Sequence, residues 1–230
     1  MKLVTFQSLE ATKDLFKKGY LECNESYINF KKVGDTYKWI TEKMNKSVKN
    51  EFNSSYPLWC WVKCYNYIIP PKIKGEKVKD FDVKITFNKN EKDVFITDFR
   101  RYSFLLNNIY IPDNLEDKIS FDKKLDKYNI TKEDLEAYVR HDKYLAHRTD
   151  NEFLNICSEI RNSFDKCITK DSNILQGCVW RINLDEIESI EFLKDDGYKY
   201  GTLNYVRSNG KRIDWTKEYY KMLRKDNNRL

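Results

Sequence analysis

Thr5 and Gln7 are separated by one residue in the apolar opening of the chain, so on an extended segment both side chains point to one side. A second amide, Gln176, interrupts a late apolar run, Ile174-Leu175-Gln176-Gly177-Cys178-Val179-Trp180. Between these lie two aromatic groups, Tyr37-x-Trp39 and Tyr56-Pro57-Leu58-Trp59-Cys60-Trp61. Hydroxyls and amides hydrogen-bond sugars and ring edges, and indole and phenol rings stack on planar ligands. Aromatics at this density are equally the ordinary content of a core. An amide at position 176 carries no negative charge, so it holds a hydroxyl but does not offset a developing cation.

The elements that must position these residues read as follows. Residues 3–7 form a short strand, Ser8 caps a helix over 9–18, and Gly19 stops it. Residues 36–48 make a second helix, with Ile40 and Met44 on one face and Tyr37 one turn above. Tyr56 to Val62 is too short for a helix and starts beside a proline, which suits a strand edge. Phe81, Val83, Ile85 and Phe87 alternate with polar residues at strand period, and Val94 to Ile96 reads as a further strand. A short helix over 98–107 follows, then a long polar stretch. Thr131 and Asp134, with Ile130 and Leu135 as an apolar staple, mark a helix start. Helical character continues to Ile168, with a break near 149–151. Ile174 to Ile182 reads as one buried strand, and 183–187 as a turn of helix before another extended piece. Asn209-Gly210 marks a hairpin between 198–206 and 211–215, and 216–229 reads as a basic amphipathic helix. Strands and helices mix without regular βαβ alternation, which predicts an α+β fold.

Composition narrows the class. With 40% hydrophobic and 15% aromatic residues among 230, the chain has enough apolar surface to fold unaided. The expected organisation is one domain over 1–195, with the 196–230 hairpin and helix packed on it. The charge of +6 is a mild surplus, compatible with a solvated surface or with a polyanion partner. The opening turns polar at Gln7 and Ser8, and no apolar stretch is long enough to span a bilayer, so a cytoplasmic protein without membrane contact is expected. Six scattered cysteines and two histidines predict reduced core thiols and no metal site. GxGxxG, Walker, HExxH and GxSxG motifs do not occur, which removes the usual support for dinucleotide oxidoreductases, P-loop NTPases, zincins and α/β-hydrolases.

The opening strand with Thr5-x-Gln7, the helix behind it, Gly19-Tyr20-Leu21 and the late Gln176 strand followed by Asn183-Leu184-Asp185-Glu186-Ile187 resemble the ADP-ribosyltransferases. That resemblance implies a split mixed or antiparallel sheet with flanking helices. It further implies NAD held between the first and late strands, with Gln176 and Tyr37 as catalytic candidates and Thr5, Gln7, Tyr56 and Trp59 as cofactor-binding candidates. It also implies transfer to a protein or nucleic-acid acceptor in a toxin or phage-defence setting, with a possible antitoxin partner. The branches it resembles carry His or Arg where Thr5 stands and a catalytic Glu where Gln176 stands. Either that register differs, or another carboxylate serves, or the domain binds without catalysing. The set Thr5-x-Gln7, Tyr56-Pro57-x-Trp59-x-Trp61, Asp98-Phe99, Leu106-Asn107 and Gln176…Trp180 also resembles an uncharacterised bacterial family of unknown function, over about residues 1–195. Two further readings stay open. One is a basic nucleic-acid- or protein-binding module, with stacking aromatics and phosphate contacts from Lys217 to Arg229. The other rests on Arg140 and His147, which resemble the Arg-x(4 to 6)-His pattern of the helical HEPN ribonucleases, where the histidine is acid or base and the arginine steadies phosphate.

Overall fold

Two residues decide the first turn of the chain. Ser8 accepts a hydrogen bond from the Ala11 amide at 3.2 Å and caps helix α1 (Leu9–Lys18); Gly19 ends it at φ 82°, where any side chain would be strained. The computed structural model describes residues 1–25, 28, 30–64, 83–106, 109–140 and 148–192. Strand β1 (Lys2–Gln7) precedes α1, and β2 (Tyr20–Glu22) follows it. Next come α2 (Phe30–Ser47), β3 (Leu58–Cys64), β4 (Val83–Asn88), β5 (Phe95–Asp98), α3 (Phe99–Leu106), α4 (Leu115–Lys127), α5 (Lys132–Arg140) and α6 (Asn151–Ser163). Strands β6 (Ile174–Val179), β7 (Arg181–Asn183) and β8 (Ile187–Phe192) complete the described order.

The fold is α+β. Six strands form one sheet in the order β5-β6-β3-β1-β4-β8, mainly antiparallel, and β2 pairs with β7 in a separate ribbon. By its internal contacts the chain divides into two compact units. The first comprises Met1–Cys23, Met44–Phe95 and Gln176–Leu230, the second Asn24–Lys43 and Ile96–Leu175. Residues 193–230, with the expected hairpin and basic helix, lie outside the described residues, as do the Pro70-Pro71 pair, Phe81, Asn107 and His147.

Register assigns the faces of the first unit's strands. Thr5 pairs with Ile85, Leu3 with Phe87, Gln7 with Val83, and Ile85 with Ile190. Directly opposed residues project to one side, so these share a face, and Leu3, Val83, Ile85, Phe87 and Ile190 are sealed there. The other face carries Val4 opposite Trp61 and Thr86, and Phe6 opposite Lys84. At this level the sequence pattern and the structure agree: the alternation of Val83, Ile85 and Phe87 with polar residues is the sealed face of a strand paired on both edges.

Gly177 fits β6 against β3. A Cβ at this position would lie 2.8 Å from Val94 Cγ1, 3.0 Å from Val62 Cγ2 and 3.1 Å from Cys60 Sγ. Trp180 closes the same region, its indole Nε1 donating to the Val48 carbonyl at 3.1 Å. The run 174–182 is therefore two strands and not one, since the chain leaves the large sheet at Trp180 and re-pairs as β7 with β2.

In the second unit, Thr131 and Asp134 make the expected reciprocal cap: the Asp134 amide donates to Thr131 Oγ1 and the Thr131 amide to Asp134 Oδ2. Trp39 packs edge-on to Phe164 with ring centroids 6.4 Å apart. Helix α2 begins at Phe30, earlier than its apolar spacing indicates. Helix α4 occupies the stretch read as polar connection, because only Phe121 of its residues is buried while Leu115 and Ile119 are exposed, leaving almost no apolar stripe to detect.

Gly177→Val places methyl groups among Val94, Val62 and Cys60 and should destabilise the protein by about 1–3 kcal/mol, read as a lower urea midpoint; an unchanged midpoint would contradict the close approach of β6.

Candidate functional site

The candidate site is built on the mixed face of the first unit. Phe6 on β1 and Trp59 and Trp61 on β3 lie on the side opposite the sealed one, and all three are only partly buried. Gly177 directs its missing side chain toward Cys60 and Val62 on the sealed side. Strand alternation then turns Gln176 to the mixed face, with the two tryptophans of the neighbouring strand. Gln176 is 6% exposed, and its Nε2 has no hydrogen-bond partner. Further along the same face, Lys84 and Glu191 form an ion pair across β4 and β8 at 2.9 Å, with side chains 14% and 11% exposed.

Thr5 and Gln7 do not join this group. They project to the sealed face, where Thr5 Oγ1 donates to the Trp59 carbonyl and accepts from Gln7 Nε2, both at 2.8 Å. The hydroxyl expected at a cofactor instead ties β1 to β3. Strands β1 and β6 are also not neighbours, since β3 lies between them, so the first and late strands do not line one groove through Thr5 and Gln176. Tyr56 is half-buried just before β3, and Tyr37 is half-buried on α2 in the second unit. The side chain of Arg140 lies outside the described residues.

Two other constellations consist of satisfied groups. The Arg181 guanidinium is sandwiched between the Tyr20 and Phe52 rings, 3.9 and 4.1 Å from their centroids, and donates twice to Glu22 Oε1, which Ser54 also reaches at 2.8 Å. This clamp holds the β2–β7 ribbon; Glu22 and Arg181 lie 159 positions apart, and no local spacing announces them. In the second unit, Asp98 caps α3 by accepting from the Arg100 and Arg101 amides at 2.7 and 3.1 Å. Burial pushes against its charge, but Ser172 and those amides win and hold its carboxyl below the usual range.

Among the described residues, four thiols are buried. Burial drives Cys60 up to about 12, raises Cys178 well above its ordinary value, and lifts Cys157 and Cys167 to about 11 and about 12. Thiolate being the reactive form, these cysteines act as small apolar residues.

A family model described as Domain of unknown function (DUF3841) matches residues 2–188. The chain belongs to this family. No curated protein and no solved structure matches it. The matched span of this DUF3841 chain runs from the first residue of β1 into β8 and contains Phe6, Trp59, Trp61, Lys84 and Gln176, every residue of the candidate face except Glu191. On this face, sequence reading named Trp61 only within its aromatic run and missed Phe6, Lys84 and Glu191. The signal for Trp61 was present, since Trp59-x-Trp61 has the period of a single strand face. Among the described residues, no helix is long and apolar enough to cross a membrane.

At one rim of this face, Glu188 accepts hydrogen bonds from Lys2 and Asn88, and the Lys2 bond above all holds its carboxyl below the usual value of 4.5. A depressed folded pKa contributes stability that is complete above about 4.5 and lost as pH falls through the folded value. Glu188→Gln should therefore flatten the acid limb of a urea-midpoint profile below about pH 4.5, by a small amount because the pair is partly exposed. An acid limb identical to wild type would contradict this.

Proposed function

We propose that the first unit is a binding module for a planar, ring-bearing ligand of the nucleotide class, received on the face of Phe6, Trp59 and Trp61. The observation that carries this reading is the asymmetry of the sheet. One side is closed by aliphatic residues and Phe87, while the other, with Val4 and Thr86 buried in it, also gathers three partly exposed aromatic side chains on two paired strands. Base-on-aromatic stacking contributes about 1–3 kcal/mol per ring and tolerates any base.

The resemblance to ADP-ribosyltransferases makes NAD the first ligand to try, with a protein or nucleic acid as acceptor if transfer occurs. Binding without transfer is favoured by the chemistry of the face. Gln176 offers hydrogen bonds but no charge for an oxocarbenium-like transition state. Glu191, a carboxylate on the same face, is four strands away from β6 in the sheet order and neutralised by Lys84.

Millimolar NAD should raise the melting temperature of the whole chain, by the equivalent of about 2.7 kcal/mol at a hundredfold excess over Kd. Trp59→Ala should abolish the shift, and no free nicotinamide should accumulate. Accumulating nicotinamide would establish transfer instead. Binding of single-stranded RNA with a steep salt slope, and no response to NAD, would make nucleic acid the ligand. If neither NAD, AMP nor single-stranded RNA binds, the reading is wrong.

A further inference from the structure

We infer that Gln176 is the specificity-determining hydrogen-bond donor of this site, selecting ligands whose ring edge presents an acceptor such as a carbonyl oxygen. The inference rests on the binding reading above and names what the site would recognise.

A glutamine amide carries two N–H donors, and a donor removed from water without a partner costs free energy that an apolar residue of similar size would not. Gln176 is in that position: its side chain is more than nine-tenths buried and Nε2 is unpaired. On β1, Thr5 is engaged with Trp59 and Gln7, and just past β6 Trp180 donates to Val48, whereas Thr97 Oγ1 on β5 is, like Gln176 Nε2, buried without a partner. The threonine on β5 can turn its hydroxyl, but the Gln176 amide keeps two N–H donors, and its nitrogen finds no acceptor within the fold. The backbone holds that residue in place. Gly177 brings β6 to within contact of Cys60, Val62 and Val94 on the sealed side, so the strand has no room to rotate Gln176 away from the tryptophan face. A ring stacked on Trp59 or Trp61 would bring its edge toward the neighbouring strand, where the amide waits. The gain on binding would be the hydrogen bond that folding withholds, and a ligand with C–H or C–F in place of the acceptor would leave the amide unpaired a second time.

The test compares two matched pairs by calorimetry on the whole chain. One pair is NAD and its analogue with hydrogen in place of the carboxamide. The other is thymidine monophosphate and its difluorotoluene isostere. Wild-type protein should bind the acceptor-bearing member of at least one pair roughly 5- to 150-fold more tightly. Gln176→Leu should remove that discrimination while keeping the affinity for the member without an acceptor, and should leave the urea midpoint unchanged or higher. That stability readout separates the proposal from a structural role, because an amide spent inside the fold would be missed on folding. If wild-type protein binds but discriminates no more than Gln176→Leu does, or if Gln176→Leu lowers the urea midpoint while discrimination persists, Gln176 is not the selecting group. If wild-type protein binds no member of either pair, the binding reading and this inference fall together.

Discussion

Strand β1 is hydrogen-bonded along both edges, and its register sets the character of everything around it. Val4 lies opposite Trp61 on one side and Thr86 on the other, while Thr5 lies opposite Ile85. Side chains alternate along a strand with a period of two, so a slip by one residue would send Leu3, Ile85 and Phe87 to the mixed face and the aromatics into the core. The sealed face makes such a slip expensive: these residues and Ile190 are almost entirely removed from water, and each fully buried side chain of this size contributes roughly 1.5–3 kcal/mol. The apolar side thus holds the aromatic side in register.

The same constraint explains why polar groups of one sheet meet such different fates. Thr5 falls on the sealed face and is tolerated because its hydroxyl donates to the Trp59 carbonyl and accepts from Gln7. Gln176 falls on the mixed face, where its Nε2 meets no partner. Lys84 and Glu191, also on the mixed face, neutralise each other across β4 and β8. Buried polar groups in folded proteins are nearly always satisfied, so the unpaired Gln176 amide nitrogen beside partly exposed indoles is a feature that packing alone does not explain among the described residues of this unit.

Local signals were legible wherever a short stretch of chain carries its own reason. Ser8 and Gly19 delimit α1, Thr131 and Asp134 start α5, and the apolar alternation of β4 reports its buried side. Membership of an uncharacterised family was legible from the spacing of Tyr56-Pro57-x-Trp59-x-Trp61 and its companions. Helix α4 was not, because its exposed Leu115 and Ile119 blur the stripe on which periodicity depends. The break at Trp180 was not, because nothing within a continuous apolar run tells which neighbour each half will find. The clamp of Arg181 between Tyr20 and Phe52 was invisible for the same reason, its members being scattered through the chain.

What the sequence determined by itself was the α+β class, the capped helix starts at Ser8 and Thr131, and the pair of residues, Trp59 and Gln176, around which a functional reading forms. Caps, turns and strand periodicity depend on neighbours a few positions apart, and those are written in order along the chain. Only the tertiary structure decided that β3 separates β1 from β6, that Thr5 and Gln7 belong to the core side, and that Gln176 faces the tryptophans with its Nε2 unpaired. These facts follow from which strands pair and in what register, and pairing is set by the burial of residues far apart in sequence, which no local pattern encodes.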